Sequence, residues 1–334
     1  MTKNYNSNIK IKDIIHKKYD INYNNTIFEN LIKSNKHLIP KLSHMSLIFN
    51  INNTITSLVN AIRRTIIDEL YIKILYFDLI DLYTNDKYIL PDLIQNRIGL
   101  IPILQTINEN ISFNLYIKND TLHIKNIYSN DIFTKHKNTY FNNNIILCQL
   151  HPNKILKIDN IKVKITQGYL NSISSIGNAM FEVIDFDMKQ NLTLNSSPSN
   201  FKFTINSNGN INPIDILHLS IDNLIDRLNN ITDIINNYDN DIHYNHIDLI
   251  ITVQNNIKFY HINNESHTLG NLIVDYIYII DSTITLLDYN VEHPTKNKVI
   301  ITILHNDSNN LIKMAINNII IDLLEIKKLI FLKN

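Results

Sequence analysis

Glycine, alanine, arginine, cysteine and tryptophan are scarce in this chain of 334 residues, which has 5 Gly, 3 Ala, 4 Arg, 1 Cys and no Trp. A single cysteine, Cys148, excludes an intramolecular disulfide framework and any multi-cysteine zinc site, and it fits a reducing compartment. Net charge is absent too, because 31 basic side chains balance 31 acidic ones. That excludes a strong overall basic field of the kind that grips nucleic acid, though not a local patch. No apolar run reaches the roughly 18 residues that would span a bilayer, and one of the longest, Leu272 to Ile280, is interrupted by Asp275. Met1 to Tyr23 is polar and lacks the apolar core of a secretory signal. A soluble intracellular protein is expected.

What is present is mostly isoleucine and asparagine, 67 and 55 residues respectively. Asn-rich chains can be disordered, but here Ile, Leu, Tyr and Phe thread the polar residues, and the hydrophobic share of 44% is ordinary for a globular protein. The composition reads as a folded protein written under a bias towards a few residue types. Where such a chain does use Gly, Ala or Arg, the backbone or the packing is a good place to ask why.

Along the chain, residues 1–35 are Asn/Lys-rich and read as an extension. Leu47 to Ile51 reads as a strand. Asn53 or Thr54 can cap the following helix, whose apolar stripe is Ile55, Leu58, Val59, Ile62, Ile66 and Leu70. Residues 71–199 read as short strands, a β-rich inserted region. Phe201 to Ile205 is another strand, Asn208-Gly209-Asn210 a turn, and Pro213 suits the first position of a helix. That helix carries Leu217, Ile221, Leu224 and Leu228 at spacings suited to packing on another helix. Residues 237–246 read as a polar linker. Residues 247–334 then repeat the order of strands, a helix from Ser266, strands and a long final helix with Leu311, Ala315, Ile319 and Leu323 on one face. The fold class expected is α+β. Two sheet-plus-helix halves, 36–70 with 200–236 and 247–334, are expected to pair within one chain through the two long helices, since each exposes more apolar face than its half can bury.

The motifs Asn60-Ala61-Ile62-Arg63-Arg64 with Ile67 and Glu69, and Arg97-Ile98-Gly99-Leu100-Ile101-Pro102, resemble the α-like third subunit of multisubunit RNA polymerases. Phe201-Lys202-Phe203 with Ser207, Gly209 and Pro213 is similar to that subunit's return to its dimerisation domain. Glu265-Ser266-His267-Thr268-Leu269-Gly270-Asn271, then Tyr289 and His293-Pro294, is similar to the smaller, eleventh-subunit partner. A fusion of the two in one chain resembles the arrangement in polymerases of large cytoplasmic DNA viruses. The resemblance implies a non-catalytic assembly platform on which the largest and second-largest subunits dock, with small zinc-binding subunits as neighbours. DNA and RNA would be met only through the complex, with no membrane and no cofactor. It also implies the host cytoplasm in viral factories, the virion or nucleus being alternatives. Docking and interface residues implied are Asn60, Ala61, Arg63, Arg64, Glu69, Arg97, Gly99, Pro102, His267, Thr268, Leu269, Gly270, Asn271, His293 and Pro294. Arg63 and Arg64 point about 100° apart on the helix, so one can flank the seam while the other faces outward. Gly270, early in a helix, suggests close approach of another backbone, and Gly99 a tight turn presenting Arg97. Tyr71 stands where the family usually has Pro, and the four-cysteine zinc loop of many third subunits is impossible with Cys148 alone.

No cluster of carboxylates suited to two Mg²⁺ ions occurs, nor any phosphate-binding glycine loop or nucleophile motif. The alternatives are an equivalent platform of a polymerase I/III-type enzyme, an independent metal-binding hydrolase, and a stand-alone nucleic-acid-binding factor suggested by the Lys-rich N-terminal segment and disfavoured by the neutral charge. The second rests on Asp241, His243, His246 and Asp248, whose blander account is a solvated linker. His267 and His293 read as structural, and Tyr276, Tyr278 and Tyr289 as core or interface rather than base-stacking residues.

Overall fold

Alternating apolar and polar residues build the first sheet. Leu47, Phe49 and Ile51 of one strand and Phe201, Phe203 and Ile205 of its neighbour are all buried, with Phe49 and Phe203 opposite each other and their rings 5.5 Å apart. The computed structural model of the protein describes residues 5–20, 43–103, 107–133, 145–167, 177–184, 198–207, 211–240, 249–254, 256–293 and 296–332.

The elements in chain order are β1 (Lys10–Asp20), β2 (Ser43–Asn52), α1 (Thr56–Arg64) running into a π-helical turn (Thr65–Glu69), β3 (Tyr71–Tyr76), β4 (Leu82–Thr84) and α2 (Pro91–Gly99). Next come β5 (Ser112–Lys118), β6 (Lys125–Tyr128), β7 (Ile146–Leu150), β8 (Ile155–Gln167), β9 (Gly177–Val183), β10 (Asn200–Ser207) and α3 (Pro213–Asn240). Last are β11 (Leu249–Gln254), β12 (Ile257–Asn263), α4 (His267–Ile280), β13 (Leu287–His293), β14 (Lys296–Ile303) and α5 (Ser308–Leu332). All the pairings are antiparallel.

Two of the sheets share one topology. The first runs β1-β2-β10-β9 and the second β11-β12-β14-β13. Each is a hairpin, then a helix, then a second hairpin inserted beside the first, then a long helix. In the first copy, β3 to β8 and α2 intervene between the helix and the second hairpin. One continuous core joins the copies: Leu58 and Ile62 of α1, Leu217, Ile221, Leu224 and Leu228 of α3, Leu269 and Leu272 of α4, and Ala315, Ile319 and Leu323 of α5 are all at most 1% exposed. Leu311 is buried but stands outside that cluster. The intervening strands and α2 enclose a separate core around Leu75, Phe77, Ile98, Phe113, Leu115 and Ile158.

The structure corrects the sequence reading at several points. Residues 10–20 are not a loose extension: they form β1, which pairs along β2 and places Ile9 and Ile11 in the shared core. The register shift between Lys12 and Ile15, with Asp13 at φ 53°, breaks the alternation that would have marked the strand. Gly177–Val183 belongs to the first sheet and not to the inserted strands, because it pairs with β10. The inserted region also holds a helix, α2, started by Pro91 at its first turn and held by Ile94 and Ile98. Gly99 therefore ends a helix and makes no tight turn to present Arg97. Neither Asn53 nor Thr54 caps α1; Ile55 occupies that position with no side-chain cap, and Asn53 is left-handed at φ 60°. The polar stretch from 237 is helical to Asn240. Residues 241–248, including the proposed metal ligands, and the turn at 208–210 lie outside the described residues.

Gly270 faces side chains and not a neighbouring backbone. A Cβ there would come within 2.7 Å of Tyr289 Cδ2 and 2.9 Å of Val299 Cγ1, on the two strands beneath α4. Neither atom is the free end of a flexible chain. Alanine would gain roughly 1 kcal/mol in helix propensity, against an overpacking cost of about 1–3 kcal/mol. Gly270→Ala is therefore expected to lose about 1 kcal/mol net, read as a lower urea midpoint at unchanged m-value.

Candidate functional site

Where the two copies meet, three segments converge on one largely buried guanidinium. The π-helical turn after α1 ends at Glu69, α3 presents Arg227, and the segment leading into α4 supplies Glu265, Ser266 and Thr268. Arg227 Nε donates to Glu265 Oε1 at 3.0 Å and its Nη2 donates to Oε2, a two-pronged contact, while Nη1 donates to Glu69 Oε2. The three side chains are 19%, 12% and 10% exposed for Arg227, Glu69 and Glu265, low enough that solvent screens them little.

Glu69 also closes the start of a helix in the other copy. Ser266 is the N-cap of α4: its Oγ accepts from Thr268 N–H at 3.2 Å and donates to Glu69 Oε1 at 2.9 Å. Thr268 Oγ1 donates to the same oxygen, and Thr65 Oγ1 donates to the other. A carboxylate there also meets the positive end of the α4 dipole. Burial pushes the Glu69 carboxyl up, but Arg227 and the Thr268, Arg227 and Ser266 hydrogen bonds outweigh it and hold it below the usual carboxylate range. For Glu265 burial wins, against Arg227 and with Glu69 adding to it, so its carboxyl sits above that range. Arg227, disfavoured by burial but held by both carboxylates, stays charged. One cation thus sits between two acids whose carboxyls are shifted in opposite directions.

A second polar contact ties the chain's two ends. Tyr5 Oη and Tyr276 Oη both donate to Asp322 Oδ2 of α5, Tyr5 at 2.8 Å. Burial and the Asp322 charge push both phenols up.

Residues 49–228 match the RNA polymerase Rpb3/Rpb11 dimerisation domain, and residues 259–328 match a second profile of the same description. The first match alone spans more than half of the chain. The chain belongs to that family. It carries the domain twice, as a fused subunit of RNA polymerase. It is similar to a protein described as "DNA-directed RNA polymerase RPB3-11 homolog" in two isolates of African swine fever virus, one from a tick and one from a warthog. Identity to each is 26% over 268 residues, covering 71% of this chain and 73% of the relative.

The family motifs fall on both sides of the junction. Of the residues picked out from the sequence, Glu69 and Thr268 meet there, and Ala61, Leu269 and Gly270 are buried in the shared packing. Asn60, Arg63 and Arg64 remain half-buried on α1, where Arg63 Nε donates to Asn60 Oδ1 at 3.0 Å. Arg97 is occupied within the inserted region, its Nη1 donating to the Leu147 carbonyl at 2.7 Å, while Gly99 is buried and Pro102 half-buried there. His267 is exposed and meets Tyr289 edge-on at 5.9 Å, and Asn271 is half-buried. His293 ends β13, paired with Lys296, and Pro294 lies outside the described residues. Tyr276 is buried and Tyr278 exposed. Burial pushes the Cys148 thiol up to about 11 against the pull of Arg97, so at neutral pH it is protonated and a poor nucleophile.

Arg227 was absent from the sequence-derived set. The available signal was its position: the fourth arginine of the chain, lying between Leu224 and Leu228 on a helix face expected to be apolar. Arg227→Met is expected to cost about 3–5 kcal/mol in denaturant unfolding, because it leaves two largely buried carboxylates without their cation. Adding Glu69→Gln and Glu265→Gln should recover much of that loss.

The two acids also set opposite pH dependences. Glu265, raised in the fold, contributes fully below the unfolded glutamate value of about 4.3 and loses that contribution as pH rises through its folded value. Glu69, lowered, contributes above the unfolded value and loses it as pH falls through its own folded value. In Tm measured against pH, the gap between wild type and Glu69→Gln should shrink on acidification, and the gap to Glu265→Gln should shift in favour of wild type.

Proposed function

We propose that the chain is a non-catalytic assembly platform, an intramolecular pseudo-dimer on which the largest and second-largest polymerase subunits dock. The observation that carries this reading is the Glu69–Arg227–Glu265 contact. It draws on both copies of the dimerisation domain and sits on top of a core they share, so that the two behave as one unit. The repeated strand order supports treating residues 5–70, 177–240 and 249–332 as the two halves, with β3 to β8 and α2 as an inserted domain. Fusion replaces a bimolecular encounter with an intramolecular one at roughly millimolar effective concentration. The half-buried Asn60, Arg63 and Arg64 on α1, and the exposed His267 with Asn271 on α4, form the docking surface, with small zinc-binding subunits as further neighbours. Nucleotidyl transfer belongs to the complex and not to this chain. The viral relatives favour the cytoplasm, in viral factories, as the place of action.

Native purification of the tagged chain from producing cells, with partners identified by mass, tests this. Two very large subunits should co-purify in equal amount with a chain that has no nucleotidyl transfer by itself. Arg63→Glu with Arg64→Glu should reduce recovery of a large subunit by about tenfold or more, through charge reversal at the docking surface, without changing Tm. Recovery of a free chain active in RNA synthesis would overturn the reading.

A further inference from the structure

The inserted sheet has an outer face that the platform role does not use. Its centre is β8, paired with β3 and β4 along one side and β5 along the other. Leu156, Ile158, Ile161 and Val163 point into the inserted core. Lys157, Lys162 and Lys164 point the other way, the bulge between the Leu115 and Phe113 pairings keeping all three on one side. Lys157 lies directly between Tyr83 of β4 and Tyr116 of β5, which are 60% and 54% exposed. Lys162 is paired with Tyr76, and the Lys164 ammonium sits 4.7 Å over the same Tyr76 ring.

Lys157 thus stands between two tyrosines across β4, β8 and β5, with Tyr76 of β3 beside Lys162 and Lys164 on the same face. Two strand spacings place Tyr83 and Tyr116 about 10 Å apart, too far for their rings to cover one another, so each leaves a π-face open. Because β8 is hydrogen-bonded on both sides, this face offers no free backbone groups to an extended peptide. It offers planar rings and ammonium groups, the chemistry that receives unpaired bases and phosphates. Asp159 pairs with Lys157 and Asp78 bonds Tyr76, so the local charge excess is small and stacking has to supply most of the affinity. Among the described residues Lys162 and Lys164 form no ion pair, which leaves them for phosphates. We propose that this face of the inserted sheet binds single-stranded nucleic acid directly, with Tyr83 and Tyr116 as stacking residues and Lys162 and Lys164 as phosphate contacts.

The test is fluorescence anisotropy with the full chain and a labelled 12-nucleotide single strand of mixed sequence, as RNA and as DNA, in low salt. Saturable binding that weakens with added salt is expected. Tyr83→Ala with Tyr116→Ala should weaken it by roughly tenfold or more per stacked base, whereas Tyr83→Phe with Tyr116→Phe should retain it. Lys162→Gln with Lys164→Gln should flatten the salt dependence. Lys10→Gln with Lys12→Gln, on the other sheet, should change nothing, and all variants are surface changes whose Tm is checked. The proposal is overturned if no saturable binding occurs, if the double alanine variant binds like wild type, or if a poly-glutamate peptide competes as well as the unlabelled oligonucleotide. None of these outcomes depends on whether the chain co-purifies with large subunits.

Discussion

A guanidinium held between two carboxylates inside a protein tolerates very little displacement. Arg227 reaches one acid on its own half and one on the other, and a slide of the long helices by a single turn, about 5.4 Å, would strand all three charges in a low-dielectric interior. The packing of apolar stripes by itself constrains such a slide less, since leucine and isoleucine of similar volume recur at each turn. The charged triplet adds little net stability, because desolvation offsets most of its attraction. What it adds is a geometric requirement on how the halves align. The shared core supplies the affinity between the halves, and the triplet is satisfied in the alignment observed.

Much of this fold could be read from residue spacing. Leu217, Ile221, Leu224 and Leu228 on one long helix and Ala315, Ile319 and Leu323 on the other announced a helix pair, and they are buried together. Ser266 announced the start of α4, and its hydroxyl accepts the Thr268 amide. The misses have local causes. β1 was hidden by a bulge at its centre. β9 reads with its sequence neighbours because its partner, β10, begins only at Asn200, far along the chain from Val183. A helix as short as α2, nine residues amid strands, gives too few turns for a periodicity to show. Arg227 carries little signal of its role in the sequence, because a charged residue beside leucines on a helix normally extends to water, and only the three-dimensional placement of Glu69 and Glu265 shows that this one does not.

The scarcity of glycine proved a partial guide. It led to Gly270, whose missing side chain makes room for Tyr289 and Val299. It said nothing about the places where this chain turns through left-handed backbone. Among the described residues six non-glycine positions have positive φ, and five of them are asparagine. Asparagine tolerates that conformation better than other side chains because its short amide can bond locally. In this composition Asn53, Asn153, Asn160, Asn256 and Asn264 do work that glycine does in most proteins, so part of the asparagine excess is structural.

The bond between Tyr5 and Asp322 spans 317 positions of the chain. During synthesis on a ribosome Tyr5 emerges well before Asp322, so its partner helix is made 317 positions later. Until then Ile9 and Ile11 have only part of their packing, and the first half exposes apolar surface that its own elements cannot cover. Closing so long a loop is slow compared with forming local contacts. A nascent chain of this topology exposes unpaired apolar surface until its second half is made, the condition under which intermolecular pairing competes with closure. Fusion shortens that interval by guaranteeing that the missing half is always the next segment to be translated.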